Sequence, residues 1–334
     1  MWSDLRTSTE EFDMYYNPFD ELLISIKNAG GFVNCHAHFD RAYTVNKQSM
    51  KDVVYSQRKE KWKLVDEYKA FATQKDYEQS ITTALLAQEA MDTRSCFSFI
   101  DLDPVVGWKA IRAAKSVQAR MHGINFKYAF QTLKGVLEPN CMRMMEKSIE
   151  NNMVDALGSL PAADKDPQLH LDFLMHLGSE SGLPLHVHVD QNNIATEKET
   201  EMLARTTMKW GMEGRVVAVH GISIAAHPKN YRQEVYQMCK DAGIAFIACP
   251  TAWIDSRRTE VMSPTHNAIT PVDEMINHDI VVALGTDNIH DIYKPYSTGD
   301  MATELKFLLE ATHIYDHDTL FDIAVTNGQK ILDL

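Results

Sequence analysis

The sequence has no CxxC pair, no glycine-rich phosphate loop, no basic run and no long apolar stretch. Its five cysteines, Cys35, Cys96, Cys141, Cys239 and Cys249, are odd in number and lack metal-clip spacing. They read as reduced core residues and not as a disulfide framework. Glycine and proline are sparse, 15 and 11 of 334 residues, beside 45% hydrophobic and 24% charged residues, which excludes collagen-like and disordered chains. Neither GxGxxG nor GxxxxGK occurs, so no dinucleotide or nucleoside triphosphate site is indicated. The H-x-E and P-C-x-x-C signature of base-flipping zinc deaminases is missing too, since Cys249 and Pro250 stand in the reverse order.

Positive charge is also short. Lys+Arg 33 against Asp+Glu 46 leaves a net charge of −13. The densest basic cluster, Arg58-Lys59-Glu60-Lys61-Trp62-Lys63, is interrupted by its own acid. Neither a nucleic acid nor an anionic membrane is an expected partner. No apolar run approaches the ~20 residues of a spanning helix. Residues 1–30 show no signal-peptide core, so a cytoplasmic location is expected.

What the chain does contain is an alternation of short apolar runs with stretches of helical period. Strands are predicted at 31–38, 95–101, 124–130, 154–160, 184–190, 215–220, 244–249 and 280–287. Between them, apolar residues recur at helical spacing, as in Ile81, Leu85 and Leu86, in Phe173, Leu174 and Leu177, and in Leu305, Leu308 and Leu309. Gly182 and Gly243 supply stops before the next strand. Eight such units predict an α/β fold, a closed (β/α)8 TIM barrel, over a doubly wound open sheet. No linker or low-complexity segment divides residues 1–334, so one hydrolase barrel is expected. Residues 1–30 would form a helical N-terminal extension, and 39–56 a loop over the active site, followed by an amphipathic helix at 57–70 with Trp62, Val65 and Tyr68.

Of the 14 histidines, five fall in or at the ends of the predicted strands. His36 and His38 end the first strand, His186 and His188 lie in the fifth, His220 ends the sixth and Asp287 ends the eighth. Residues two apart in a strand share a face. A single HxH is more often a pair of core histidines than a ligand set. Imidazole and carboxylate at four strand ends of one barrel are the donors of a zinc-like divalent ion.

This pattern resembles the amidohydrolase superfamily, in its cytosine-deaminase-like branch. The motifs are His36-Ala37-His38-Phe39-Asp40, His188-Val189-Asp190-Gln191, His220 and Gly285-Thr286-Asp287. The resemblance implies that His36, His38, His188 and Asp287 bind one divalent ion, zinc with iron as the alternative. It implies that His220 orients the nucleophilic water and that Asp287 carries its proton. Gln191 joins His220 and Asp287 among the catalytic residues, Gln131, Asp40, Gln191 and Asn288 are then assigned to substrate binding, and His186 lies deeper as a supporting or core residue. The fourth strand lacks the Lys or Glu that bridges two ions in binuclear members, which favours a single ion. No small β-sandwich is expected from the short flanks of the barrel.

Gln191 stands where the deaminases carry a proton-shuttling Glu. An amide hydrogen-bonds but does not titrate. The expected reaction is deamination of a small aminated N-heterocycle, pyrimidine- or triazine-like, by metal-activated water, with amide or lactam ring hydrolysis as the alternative. Two other readings compete. Gly221-Ile222-Ser223-Ile224-Ala225 nearly matches GxSxG but lacks the final glycine of a nucleophile elbow. A non-catalytic metal-binding barrel is the second. Lys134, His290 and Asp291 are weaker pocket candidates, and Asn267 reads as turn chemistry. The partner expected is a small-molecule substrate, and a homo-oligomer is left open.

Overall fold

The computed structural model describes residues 16–46, 50, 58–254 and 269–334. Eight strands occur in chain order: β1 Phe32–Ala37, β2 Thr93–Asp101, β3 Asn125–Gln131, β4 Leu157–Ser159, β5 Leu185–Val189, β6 Val216–His220, β7 Ala245–Ala248 and β8 Val282–Leu284. All pairings are parallel and follow sequence order, β1-β2-β3 in one sheet and β4-β5-β6-β7-β8 in the other. Two isolated parallel bridges, Ala129 to Ala156 and Ala37 to Asp287, join the sheets at both seams. Every strand therefore has a neighbour on each side, as a (β/α)8 barrel requires and an open sheet does not. Among the described residues no strand lies outside this ring.

Alternation along the strands decides what enters the barrel. In β5, Leu185, Val187 and Val189 pack into the large cluster shared with the outer helices. His186 and His188 take the opposite face, level with Val217 and Val219 of β6. Phe97, Phe99, Ala129, Val217, Val219, Ile247 and Ala283 form the inner cluster, which Ile331 and Leu332 of the C-terminal helix Asn327–Leu332 join. Lys127, early in β3, donates to the carbonyl of Leu332, placing that helix at the floor of the barrel. Helices are set by local signals. Asp166 caps Pro167–Ser181, and Gly182 ends it at φ +76°.

Two boundaries differ from expectation. β4 is only three residues long, and β8 stops at Leu284 although the predicted strand runs to Asp287. The cause in β8 is the seam. Backbone N–H groups of Thr286 and Asp287 both donate to the carbonyl of His36, at 3.0 and 2.9 Å. Asn34, buried in β1, accepts from the N–H groups of Thr286 and His36 and donates to Gln88 and to the Thr286 hydroxyl. The seam is thus closed by a side chain as well as by strand bonds. Residues 1–15, part of the 39–56 loop and Asn267 lie outside the described residues; within the N-terminal extension, Pro18–Asn28 is helical.

Gly285 makes the approach of β8 to β1 feasible. A Cβ there would sit 2.8 Å from the His36 Cβ and 3.0 and 3.1 Å from its backbone N and O. Backbone cannot rotate away as a flexible side chain can. Gly285→Ala is expected to cost about 1–3 kcal/mol, the scale of overpacking. Urea unfolding checks this; a midpoint equal to that of the parent would show that the seam tolerates the extra atom.

Candidate metal centre and active site

At the carboxyl mouth the strand ends converge. His36 and His38 of the first strand and its exit meet Asp287 beyond β8: His36 Nε2 and His38 Nε2 lie 3.4 and 3.2 Å from Asp287 Oδ1. The His36 ring is 4.8 Å from that of His188 and 5.4 Å from that of His220, centroid to centroid. Two overlapping ligand sets result, His36–His38–Asp287 and His36–His188–His220, each with its donor atoms within 4.8 Å of one another. All five residues are buried.

His36 tests the fit of an ion most sharply. Its side chain is fully buried, yet neither ring nitrogen has a hydrogen-bond partner. A buried imidazole left so would cost a few kcal/mol by desolvation, so a group that takes its lone pair is called for. The donor set of imidazoles and carboxylate suits zinc chemistry. His188 is prepared for this role: Nδ1 lies 3.0 Å from the Ser159 carbonyl, to which an Nδ1–H donates, leaving Nε2 as the free lone pair.

Electrostatics push the same way. Burial, and then the charge of Arg41, holds the His38 imidazole well below its ordinary pKa. Burial and neighbouring His36 do the same to His188. Burial alone would raise Asp287, but His36, His38 and His220 hold its carboxyl well below the usual carboxylate range. Neutral imidazoles and an ionised carboxylate are the ligand forms a cation needs. The backbone is strained at the same places: His220 has φ +77° and Asp287 φ +59°. Such conformations cost on the order of 1–3 kcal/mol each for non-glycine residues and cluster at functional sites.

A cavity of about 160 Å³ opens above the cluster. His38, His188, His220, Asp287, Gln131, Gln191 and Asn288 line it, whereas His36 lies beneath. The Gln131 Oε1 is buried without a hydrogen-bond partner. Asp40, expected at the substrate, does not line the cavity. Its Oδ2 accepts from the Asp101 N–H at 2.9 Å, and burial followed by the Asp101 charge pushes its pKa up to about 7. His186 is stacked flat on Phe97, ring centroids 4.1 Å apart, and joins neither ligand set. Lys134 pairs with Asp66 of the helix Arg58–Phe71, Asp291 accepts from the N–H groups of Tyr293 and Lys294, and His290 meets the Pro295 carbonyl.

Several lining residues escaped the sequence reading: Arg41, Trp62, Tyr293, Glu197 and Glu199. Arg41 is buried between Asp101 and the ring of Tyr293. Glu199 accepts from the Asp190 N–H while Asp190 caps the N–H groups of Glu199 and Thr200, so the two carboxylates brace each other across the loop. The GxSxG-like serine plays no nucleophilic part. Ser223 donates to Glu197 and accepts from the Ile194 N–H at 3.1 Å, with no histidine bonded to it among the described residues.

A model described as "Amidohydrolase family" matches residues 100–323. An uncharacterized protein of Haemophilus influenzae is 42% identical over 277 residues, 81% of this chain and 98% of that protein. The N-isopropylammelide isopropyl amidohydrolase of Pseudomonas sp. (strain ADP) is 22% identical over 277 residues, 81% of this chain and 65% of that one. Among solved structures, 5-methylcytosine deaminase from Klebsiella pneumoniae liganded with 5-fluorocytosine superposes with a TM-score of 0.83 at 23% identity, covering 91% of this chain and 75% of that chain. That likeness carries the barrel fold.

The buried imidazole of His36, with no hydrogen bond to either nitrogen, leads to a direct measurement. Protein purified from metal-replete cells should contain about one divalent ion per chain, and His36→Ala should empty the site. Metal analysis of both proteins decides it. Two tightly held ions per chain would overturn the mononuclear reading.

Proposed function

This chain belongs to the amidohydrolase family, and from that premise we propose that it deaminates a small aminated N-heterocycle of pyrimidine or triazine type. As an amidohydrolase it hydrolyses a carbon–nitrogen bond other than a peptide bond. The observation that carries the finer reading is the cavity that joins the histidine–aspartate cluster to Gln131, whose buried carbonyl oxygen faces no donor of its own. The names of the pyrimidine deaminase and the triazine-related amidohydrolase support that ring class.

His36, His38, His188 and Asp287 would hold the ion, and a bound zinc or iron supplies the Lewis acidity that makes water a nucleophile near neutral pH. The residues then divide the work. His220 orients the attacking water. The water oxygen bonds to the sp² carbon bearing the amino group; the carbon–nitrogen bond breaks and ammonia leaves. Asp287 accepts the water's proton and passes it to the departing nitrogen. Gln131 accepts from a ring or amino N–H, and Gln191 hydrogen-bonds the ring edge without moving a proton. Leu133, Leu160, Ile222 and Trp62 form the apolar wall against which a flat ring packs. A cytoplasmic location belongs to the same proposal; among the described residues no helix is long and apolar enough to cross a membrane.

One observation favours a second reading. Gln191 lines the cavity where a titrating carboxyl would serve a deaminase, and hydrolysis of a cyclic amide has less need of it. A panel of aminated pyrimidines and triazines and of cyclic amides, scored separately for ammonia release and for ring opening, separates the two. Ammonia release is expected, with ring opening alone favouring the second reading. On the active substrate, Asp287→Asn should lower kcat about 10²–10⁴-fold, the range of a lost acid–base group. Gln191→Ala should raise KM with kcat little changed, because it removes uniform binding. An equal loss of kcat in both variants would place the proton path on Gln191 and refute the assignment.

A further inference from the structure

A serine–histidine–aspartate chain lies outside the cavity. Ser159 Oγ is 2.8 Å from His170 Nε2, and His170 Nδ1 is 2.6 Å from Asp164 Oδ2. The distances are those of a hydrolytic triad. Its surroundings are not. Ser159 is 1% exposed and is absent from the cavity wall, so no substrate reaches its hydroxyl. What the serine does reach is the metal cluster: its own carbonyl oxygen accepts from His188 Nδ1 at 3.0 Å.

We propose that Asp164, His170 and Ser159 form a positioning relay that fixes the orientation and tautomer of His188 and thereby the affinity of the centre for its ion. The inference rests on the metal-site reading above and adds residues to it. Direction along the relay follows from donor chemistry. A carboxylate only accepts, so His170 Nδ1–H donates to Asp164; His170 Nε2 is then the acceptor, and the Ser159 hydroxyl must donate to it. Burial keeps the His170 imidazole neutral by lowering its pKa, which preserves that order. The hydroxyl is tied on one side of Ser159 and the carbonyl is used on the other.

The backbone by itself holds this carbonyl poorly. Strand β4 is three residues long, pairs with β5 over Leu157–Ser159, and is bridged to β3 at Ala129–Ala156. A short ladder at a seam leaves its last residue free to twist unless a side chain stops it. His170, fully buried in the helix Pro167–Ser181, provides the stop. Asp164 in turn accepts from the Val136 N–H at 2.8 Å, tying in the loop that follows Gln131. Gly135 permits this closeness, since it sits at φ +87° and a Cβ there would lie 2.3 Å from Asp164 Oδ1. One buried chain thus couples the loop after β3, the end of β4 and a ligand on β5.

The test uses zinc affinity, measured by chelator competition on the full chain, and the visible spectrum of the Co²⁺-substituted protein. Ser159→Ala and His170→Phe are each expected to weaken zinc about 10–100-fold, the scale of lost outer-shell partners, and to shift the cobalt bands. His170→Gln retains an acceptor for Ser159 and a donor for Asp164, so it should recover most of the affinity. Leu174→Ala, a core truncation in the same helix, should destabilise the fold while leaving zinc binding unchanged. Should Ser159→Ala be recovered unfolded, the ordering of His170→Phe below His170→Gln carries the same decision. Wild-type zinc affinity in His170→Phe, or an equal loss in Leu174→Ala, overturns the relay while the metal centre stands. Absence of any divalent ion from the metal-replete parent protein, together with failure to take up zinc, overturns the metal centre and the relay together.

Discussion

Four imidazoles and one carboxylate share a buried volume in which ring centroids stand 4.8–5.6 Å apart. Burial holds the His38 and His188 imidazoles well below their ordinary pKa, and the neighbouring His36 adds to the effect. Such a cluster is stable only if lone pairs are aimed at something positive. His36, buried with neither ring nitrogen hydrogen-bonded, makes that requirement explicit. Much of the neighbouring structure serves to hold these groups against their own electrostatic and steric costs.

The seam between β8 and β1 is the first of these devices. Parallel ladders are evenly bonded within each sheet, but here the closing contact is an isolated bridge backed by Asn34 and by two N–H groups converging on the His36 carbonyl. The Asp287 carboxylate, just beyond β8, is thereby anchored to the backbone of His36 on β1. Positive φ at His220 and Asp287 turns their side chains inward at the points where the strands end. Strain at the mouth is offset by the cluster packed beneath it, in which Phe97 and Phe99 lie against His186 and His188.

The upper wall depends on buried charge. Lys69, near the end of the helix Arg58–Phe71, sits between Asp101 at 3.1 Å and Asp103 at 2.7 Å. Lys109 donates to the carbonyls of Lys69 and Ala72 and so satisfies the helix end. With that end fixed, Trp62 on the same helix reaches the cavity together with Tyr293. Removing one member of such a buried pair leaves an uncompensated charge, which is why these contacts hold the helix in register over the site.

The sequence by itself determined the architecture and the outline of the centre. Continuous apolar strands alternating with amphipathic helices carry the barrel, because burial on both faces of a parallel sheet leaves that imprint on composition. The two-residue spacing of His36 and His38 and the strand-end positions of His220 and Asp287 were legible for the same reason: strand periodicity is local. Gly285 was visible as part of a motif, but its function, admitting the His36 backbone, required the partner strand. Asn34, Arg41, Glu199 and the Ser159–His170–Asp164 chain had no local signature, and Trp62 showed only as part of an amphipathic helix. Asn34 and Arg41 meet partners far away along the chain, which the closed ring brings together, whereas Glu199 and the Ser159–His170–Asp164 chain meet near neighbours in sequence that only loop and helix packing turns toward them. Asp40 shows the opposite case, a motif carboxylate that packing turned away from the cavity and onto the Asp101 backbone. Periodicity fixes which face a residue takes, and tertiary packing alone decides what stands opposite.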